Sequence, residues 1–119
     1  MIIQEDLYLL EDVFRVGNVF GPKLDHVREQ DVTILHQANK TIVLPNTGGI
    51  SAFNKIHPRL RGIWWKCPAG TAYPEELCII CDKEKAGLRH YSIQPAYPME
   101  LRAFQAILRQ FAEKFEKIG

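Results

Sequence analysis

Arginine, serine and histidine residues in three short segments could bind and act on an anionic ligand. Arg15 lies within the apolar sequence VFRV. Its guanidinium could hold a carboxylate or a pyrophosphate through two parallel hydrogen bonds. An arginine in such a strand can equally lie at a sheet edge, with its charged group in water. Arg15 is therefore a candidate anion-binding residue, and both interpretations stay open.

The segment TGGISAF supplies a second group of candidates. Its paired glycines, Gly48 and Gly49, allow the backbone to approach a ligand closely or to adopt positive φ. In the strand that follows, Ser51 and Phe53 would share one face, where a hydroxyl and an aromatic ring could orient a planar amide. Double glycines are also typical of a tight hairpin. The segment is not a Walker phosphate loop, because it lacks the lysine and the spacing.

The third segment, HYSIQPAYPM, contains His90, Tyr91 and Gln94 between the last predicted strand and a helix. Its prolines could serve only to fix a rigid corner between the two elements. The segment by itself does not distinguish such a corner from a ligand site.

Cysteines and a histidine raise the question of a metal site. Cys67, Cys78, Cys81 and His90 are ligand types that structural zinc uses. However, LCIICD is typical of a strand, where residues three apart point to opposite faces and do not easily converge on one ion. We therefore expect free cysteines and no bound metal.

A mixture of basic and aromatic residues, of the kind found on some nucleic-acid-binding surfaces, follows His57. The net charge of the chain is only +1, so we favour a solvated loop that leads into a tryptophan-bearing core strand. A small nucleic-acid-binding domain stays an alternative. It would use Arg59, Arg61, Trp64, Trp65 and Lys66.

The elements that would position these residues are mainly strands. The apolar segment from Leu7 to Val16 stops at the turn signal Gly17-Asn18 and is predicted to be a strand. From residue 41 onward, the short runs TIVL, ISAF, GIWW, LCIIC and HYSI alternate with glycine, proline or charged turns. A short helix is predicted between Lys23 and Gln37 from uneven helical spacing.

The C-terminal segment has the clearest periodicity. After Pro98, apolar residues recur three or four positions apart, which predicts an amphipathic helix. They are Leu101, Phe104, Ile107, Leu108, Phe111 and Phe115. A chain this short needs that apolar surface for its core, so we expect the helix to dock on the sheet, with partner binding as the alternative. Residues 1–119 are thus predicted to form one α+β domain.

Length and composition agree with a single globular domain. The chain has 119 residues, of which 46% are hydrophobic and 24% charged. The N-terminus is acidic and lacks the basic leader of a signal peptide, and no apolar run approaches the ~20 residues that cross a bilayer. We therefore expect a cytoplasmic protein without membrane insertion. Its odd number of cysteines suits a reducing compartment.

Three segments together resemble a known family. TGGISAF, PAGTAYPEEL and HYSIQPAYPM, followed by the amphipathic helix, are similar in order and form to the cytotoxins exported by bacterial type VI secretion whose fold is ADP-ribosyltransferase-like. Phe14-Arg15 also matches the aromatic–arginine pair of that family's first strand. The resemblance runs roughly from Val13 to Lys117 and is weakest between Gly21 and Val43.

The resemblance implies a small split β core flanked by helices, with NAD bound as the substrate between two sheets. It implies that Arg15 grips the pyrophosphate of the cofactor and that Ser51 braces the cleft and orients the arginine and the ribose. With His90 as a candidate polar contact to the ribose, these are the residues that we expect to be catalytic. The resemblance implies NAD-binding roles for Arg15, Thr47, Gly48, Gly49, Ser51, Phe53, Tyr91 and Gln94, with Trp64 as a further ring for nicotinamide stacking. Family members act in the cytoplasm of a target cell after secretion without a signal peptide. They are held inactive by a cognate immunity protein.

One position departs from the general pattern of ADP-ribosyltransferases. Gln94 stands where a glutamate is expected to stabilise the oxocarbenium-like centre, and glutamine cannot supply that charge. Glu75, Glu76 or Glu100 would have to approach from elsewhere. The leading hypothesis is an NAD-dependent ADP-ribosyltransferase or NAD glycohydrolase that acts as a toxin on an unknown target macromolecule. A non-catalytic toxin that retains the fold is the alternative.

Overall fold

Antiparallel strand pairing dominates the computed structural model, which describes residues 7–46 and 48–118. Nine strands and one helix lie within those residues. They are β1 (Val13–Gly17), β2 (Thr33–Gln37), β3 (Lys40–Leu44), β4 (Ile50–Phe53), β5 (Ile63–Cys67), β6 (Leu77–Lys85), β7 (Leu88–Pro95), β8 (Met99–Glu100), α1 (Leu101–Ala112) and β9 (Glu116–Lys117).

The strands form two separate sheets. The larger has six strands in the order β6-β7-β4-β1-β5-β9, and the smaller has three in the order β2-β3-β8. The β core is therefore split, as the resemblance implied. The expected flanking helices are not present, because α1 is the one helix in the described part of the chain. The fold is mostly β.

The prediction of a helix between Lys23 and Gln37 is wrong. Turns occupy the first part of this segment, and its end forms β2, which pairs along its whole length with β3. The apolar residues of the segment also fail to share one side. Leu24 and Val32 are buried, whereas Leu35 is 41% exposed. The cross-strand hydrogen bonds to β3 therefore override a weak helical spacing.

The strands expected from residue 41 onward are all present. The first strand is shorter than expected and begins at Val13. Before it, Leu7 and Leu9 make backbone hydrogen bonds to residues 70–73, but the pairing amounts to an isolated bridge between Tyr8 and Ala72 and not to a strand. β6 is longer than expected and continues through the charged residues to Lys85. It turns into β7 through Ala86 and Gly87, both at positive φ, as a two-residue hairpin requires.

The C-terminal helix is confirmed and completes the core of the chain. Phe104, Leu108 and Phe111 are buried on one side of α1. Phe115 is buried as well, although it follows the helix, whose last residue is Ala112. The apolar stripe thus packs inside this domain and is not left for a partner. In the residues that are described, no helix is long and apolar enough to cross a membrane.

Candidate active site

The pairing of β4 with β7 places Ser51, Phe53 and His90 on the same face of the large sheet. Ser51 is opposite Ser92, and Phe53 is opposite His90. Side chains alternate along a strand, so Ser51 and His90 are diagonal neighbours on one face. His90 Nε2 lies 3.0 Å from Ser51 Oγ. Two of the three residues expected to be catalytic are thus in hydrogen-bond contact.

Asp82 joins this pair from β6. Its carboxylate is hydrogen-bonded to His90 Nδ1, so that the imidazole bridges Asp82 and Ser51. Asp82 is the extra residue of a bulge, since Cys81 is opposite Tyr91 and Lys83 is already opposite His90. A bulge redirects a side chain from the regular alternation. Sequence reasoning missed Asp82, because the bulge arises from the pairing with β7 and has no local signature.

A groove lies beside His90 at the β6–β7 hairpin. The Phe53 ring makes edge contacts with the rings of His57 and His90, at centroid distances of 5.1 and 5.3 Å. These three side chains line a groove of about 480 Å³ together with the hairpin residues. A neighbouring groove of about 680 Å³ shares His57, Lys85 and Leu88 with it. Together they form an aromatic and partly apolar surface next to Ser51 and Asp82.

Four cations line these grooves: Lys55, Arg59, Lys83 and Lys85. None of them has a carboxylate within salt-bridge distance in residues 7–46 and 48–118. The one acidic residue of the lining, Glu84, pairs instead with Arg89 at 3.4 Å. Uncompensated positive charge in a cleft attracts phosphate groups. Sequence reasoning counted the β6 lysines only as the end of a strand.

Arg15 is engaged by the backbone on the other face of the sheet. Its Nη1 donates to the Ser51 carbonyl at 2.7 Å, Nε donates to the Pro22 carbonyl at 3.1 Å, and Nη2 donates to the Lys23 carbonyl at 3.3 Å. β1 lies between β4 and β5, so Arg15 is not at a sheet edge. Burial lowers the pKa of Arg15, and nearby Asp31 offsets part of that effect. The Ser51 hydroxyl and the guanidinium do not meet.

The glycine turn before β4 is packed tightly against β7. A Cβ on Gly49 would lie 2.4 Å from the Ile93 carbonyl oxygen, so this position requires glycine. Gly48 has φ of 107°, and Thr47 lies outside the described residues. The buried Gln94 accepts the Asn46 N–H at 2.8 Å. Its amide nitrogen donates to Ser92 Oγ at 3.2 Å. The side-chain carbonyl of Gln94 thus braces the turn, whereas its amide nitrogen bonds within β7.

Tyr91 faces away from His90 and contacts a carboxylate that sequence reasoning did not consider. Its hydroxyl donates to Glu11, whose carboxylate also pairs with Arg89 at 3.0 Å. Burial, followed by the Glu11 hydrogen bond, raises the pKa of Tyr91 to about 12. The Tyr91 hydrogen bond, the largest cause, lowers the pKa of Glu11. This network ties the N-terminal segment to β7.

The glutamates considered as substitutes for the expected one lie elsewhere. Glu75 and Glu76 precede β6, at the end where Leu77 pairs with Pro95. Glu100 belongs to the small sheet, where its Oε1 is 3.8 Å from Lys40 Nζ. The carboxylate that contacts the Ser51–His90 pair is that of Asp82.

The cysteines are free and are distributed over the large sheet. Cys67 ends β5, whereas Cys78 and Cys81 belong to β6, and β7, β4 and β1 lie between these strands. Throughout the described ranges, no three potential ligand side chains are grouped so as to hold a metal ion.

The aromatic residues of β5 do not present a stacking surface for nucleic-acid bases. Trp64 is 7% exposed. Trp65 is partly buried, and its Nε1 donates to the Asn18 carbonyl at 2.8 Å. Lys66 lies 3.4 Å from the Asp12 carboxylate, so its charge is paired.

Comparison with known proteins agrees with the three-segment resemblance. The sequence model of a family described as Tse2 ADP-ribosyltransferase toxin matches residues 22–118. No curated protein matches the chain. The matched residues include Ser51, Asp82 and His90, whereas Arg15 precedes them.

Proposed function

The chain belongs to the Tse2 ADP-ribosyltransferase toxin family, and from this we propose that it binds NAD as its substrate. The bond to nicotinamide is cleaved, and ADP-ribose passes to a target macromolecule or to water. The family is one of type VI secretion effectors. We extend to this chain the family's site of action, the target-cell cytoplasm after secretion without a signal peptide, and its inhibition by a cognate immunity protein.

The observation that carries this proposal is the groove beside His90. Its cations have no carboxylate partners within the described chain, and its lining also includes the partly exposed rings of Phe53, His57 and His90. NAD combines a doubly charged pyrophosphate with two aromatic bases, so it matches both features. We assign the pyrophosphate to Lys83 and Lys85, with Lys55 and Arg59 at the far side of the groove. Phe53 then packs against the nicotinamide ring.

Ser51 and His90 would act on the ribose that carries nicotinamide. Both are polar, they contact each other at 3.0 Å, and His90 borders the groove. Breaking the bond to nicotinamide leaves positive charge on this ribose, and preorganised hydrogen bonds stabilise such charge. Gln94 then supports the glycine turn and does not need to replace the absent glutamate.

Arg15 enters the proposal as a residue that positions β4. Its bonds to the Ser51 carbonyl and to the carbonyls of Pro22 and Lys23 hold the strand that carries Ser51. A direct grip on pyrophosphate would require the guanidinium to give up carbonyl partners that it contacts on the opposite face of the sheet.

Nicotinamide release tests the enzymatic proposal directly. The purified chain is incubated with NAD, and free nicotinamide is quantified by chromatography. We expect release by the wild type and a loss of at least tenfold for His90→Ala, which removes the imidazole that hydrogen-bonds to Ser51 beside the proposed ribose site. The matched control is His36→Ala, on an exposed position of β2. If the folded wild-type protein releases no nicotinamide, even when a cell lysate is added as a source of acceptor macromolecules, the chain is a non-catalytic toxin and the proposal is wrong.

A further inference from the structure

Asp82, His90 and Ser51 form a row of hydrogen bonds that crosses three adjacent strands. The row begins at the Asp82 carboxylate on β6, passes through both ring nitrogens of His90 on β7, and ends at Ser51 Oγ on β4. A nucleophile or polar group, a base beside it and a third group that orients the base make up a recurrent catalytic arrangement. The family resemblance suggests roles for Ser51 and His90 but none for Asp82.

The direction of each hydrogen bond in the row follows from the chemistry of its members. An ionised carboxylate only accepts, so His90 Nδ1 must donate to Asp82. In the neutral imidazole, Nε2 then carries no hydrogen and must accept. The proton of the Ser51 hydroxyl is therefore directed to His90. The Ser51 oxygen is left with lone pairs, which accept a hydrogen bond from a ligand.

The position of this row argues against a purely structural role. The side chains of Asp82 and His90 are 40% and 26% exposed, so the row lies outside the hydrophobic core, and its central member, His90, lines the groove. Asp82 also reaches His90 only because β6 has a bulge at that residue. Bulges are frequent next to active sites, where they redirect a side chain.

We propose that Asp82 is the positioning carboxylate of this site. It fixes the tautomer of His90, and His90 in turn makes Ser51 Oγ an acceptor for a hydroxyl of the nicotinamide ribose. This inference rests on the proposed function for its ligand. The negative charge of Asp82 polarises the hydrogen bonds of the row and so increases the partial negative charge on Ser51 Oγ. This favours the positive charge that develops on the ribose. Asp82 thereby supplies, through two side chains, the negative charge that Gln94 cannot provide.

The His90 tautomer provides a test that does not depend on activity. Long-range ¹H–¹⁵N NMR spectra of the ring are recorded for the wild type, for Asp82→Ala and for Asp25→Asn. Asp25 is the matched control, because it is a partly exposed aspartate that pairs with Arg109 and lies outside the groove. We expect hydrogen on Nδ1 in the wild type and in Asp25→Asn, and a redistribution toward Nε2 in Asp82→Ala. Hydrogen on Nε2 in the wild type would overturn the inference.

Nicotinamide-release kinetics on the same variants test the consequence. We expect Asp82→Ala to lower kcat at least tenfold with a smaller change in KM, since the row acts mainly as charge develops. Asp25→Asn should stay within about twofold of the wild type, because it removes only an exposed ion pair with Arg109, away from the groove. If the wild type releases nicotinamide and Asp82→Ala does so at full rate, this inference alone is overturned. If the wild type releases none, the proposed function fails together with it.

Discussion

Arg15 and Ser51 meet through the backbone, because the guanidinium of Arg15 donates to the Ser51 carbonyl at 2.7 Å while the Ser51 hydroxyl contacts His90 on the other face of the sheet. The backbone of Ser51 is thus bound by Arg15 on one face, and its hydroxyl is available to the proposed site on the other. The first contact supports the strand and the second belongs to the proposed chemistry, so substitutions can test the two independently.

Replacing Arg15 should weaken the fold. Arg15→Ala leaves three carbonyls without their donor, and a hydrogen bond to a charged group is worth about 1.5–3 kcal/mol. We expect a loss of that order in the free energy of unfolding, measured by urea denaturation. Arg15→Lys should restore little, because an ammonium lacks the planar fork.

The matched control for this experiment is Arg102→Ala, at an exposed position of α1. It should leave the free energy of unfolding nearly unchanged, as most exposed substitutions do. A fully stable Arg15→Ala protein that no longer binds NAD would contradict the supporting role and favour direct contact with the pyrophosphate.

The glycine turn before β4 should not tolerate a side chain. In Gly49→Ala, the new methyl group would lie 2.4 Å from the Ile93 carbonyl oxygen, and backbone cannot move aside as a flexible side chain does. We expect destabilisation of about 1–3 kcal/mol, the range typical of overpacking, and a lower thermal unfolding midpoint. Gly21→Ala is the control, since among the described residues no atom beyond its chain neighbours lies within 4 Å of its added Cβ. Equal midpoints for the two variants would show that the turn is not closely packed.

The hairpin lysines should control NAD affinity. The double substitution Lys83→Ala/Lys85→Ala removes from the groove two cations that have no carboxylate partner among the described residues. It should raise KM for NAD by roughly three- to tenfold, since each exposed charge contributes up to about 1 kcal/mol. The effect should shrink at high salt, where charges are screened. Lys40→Ala is the control, because Lys40 lies on the small sheet near Glu100. An unchanged KM at low salt would place the pyrophosphate elsewhere.

Alkaline pH should reveal the Tyr91–Glu11 contact. The pKa of Tyr91 is raised from 10 to about 12, so the native state favours the protonated phenol. The contribution of the protonated Tyr91 phenol to the free energy of unfolding is complete below pH 10 and is lost as the pH rises from 10 to about 12. Tyr91→Phe should therefore lose less stability over that interval than the wild type.

The readout for this prediction is the urea midpoint at a series of pH values. Tyr97→Phe serves as the control, because Tyr97 is half exposed. It should follow the wild-type profile. Parallel profiles for Tyr91→Phe and the wild type would mean that the phenol titrates alike in the folded and unfolded states.

Local sequence was a good guide to strands and to the C-terminal helix. TIVL, ISAF, GIWW, LCIIC and HYSI all lie in strands, and the stripe from Leu101 to Phe111 is the buried side of α1. Alternation, turn residues and helical periodicity are properties of neighbouring residues. The weak helical periodicity between Lys23 and Gln37 gave a wrong prediction, because the end of this segment pairs with β3 as a strand.

Only part of the candidate site could be predicted from the sequence. The sequence by itself determined that Ser51 and Phe53 share a face and that His90 stands in a family motif. Only the tertiary structure decided that Asp82 completes their network and that Arg15 is bound by carbonyls. The physical reason is that strand order and the β6 bulge set these contacts. Both depend on hydrogen bonds between segments distant in sequence, which no local pattern records.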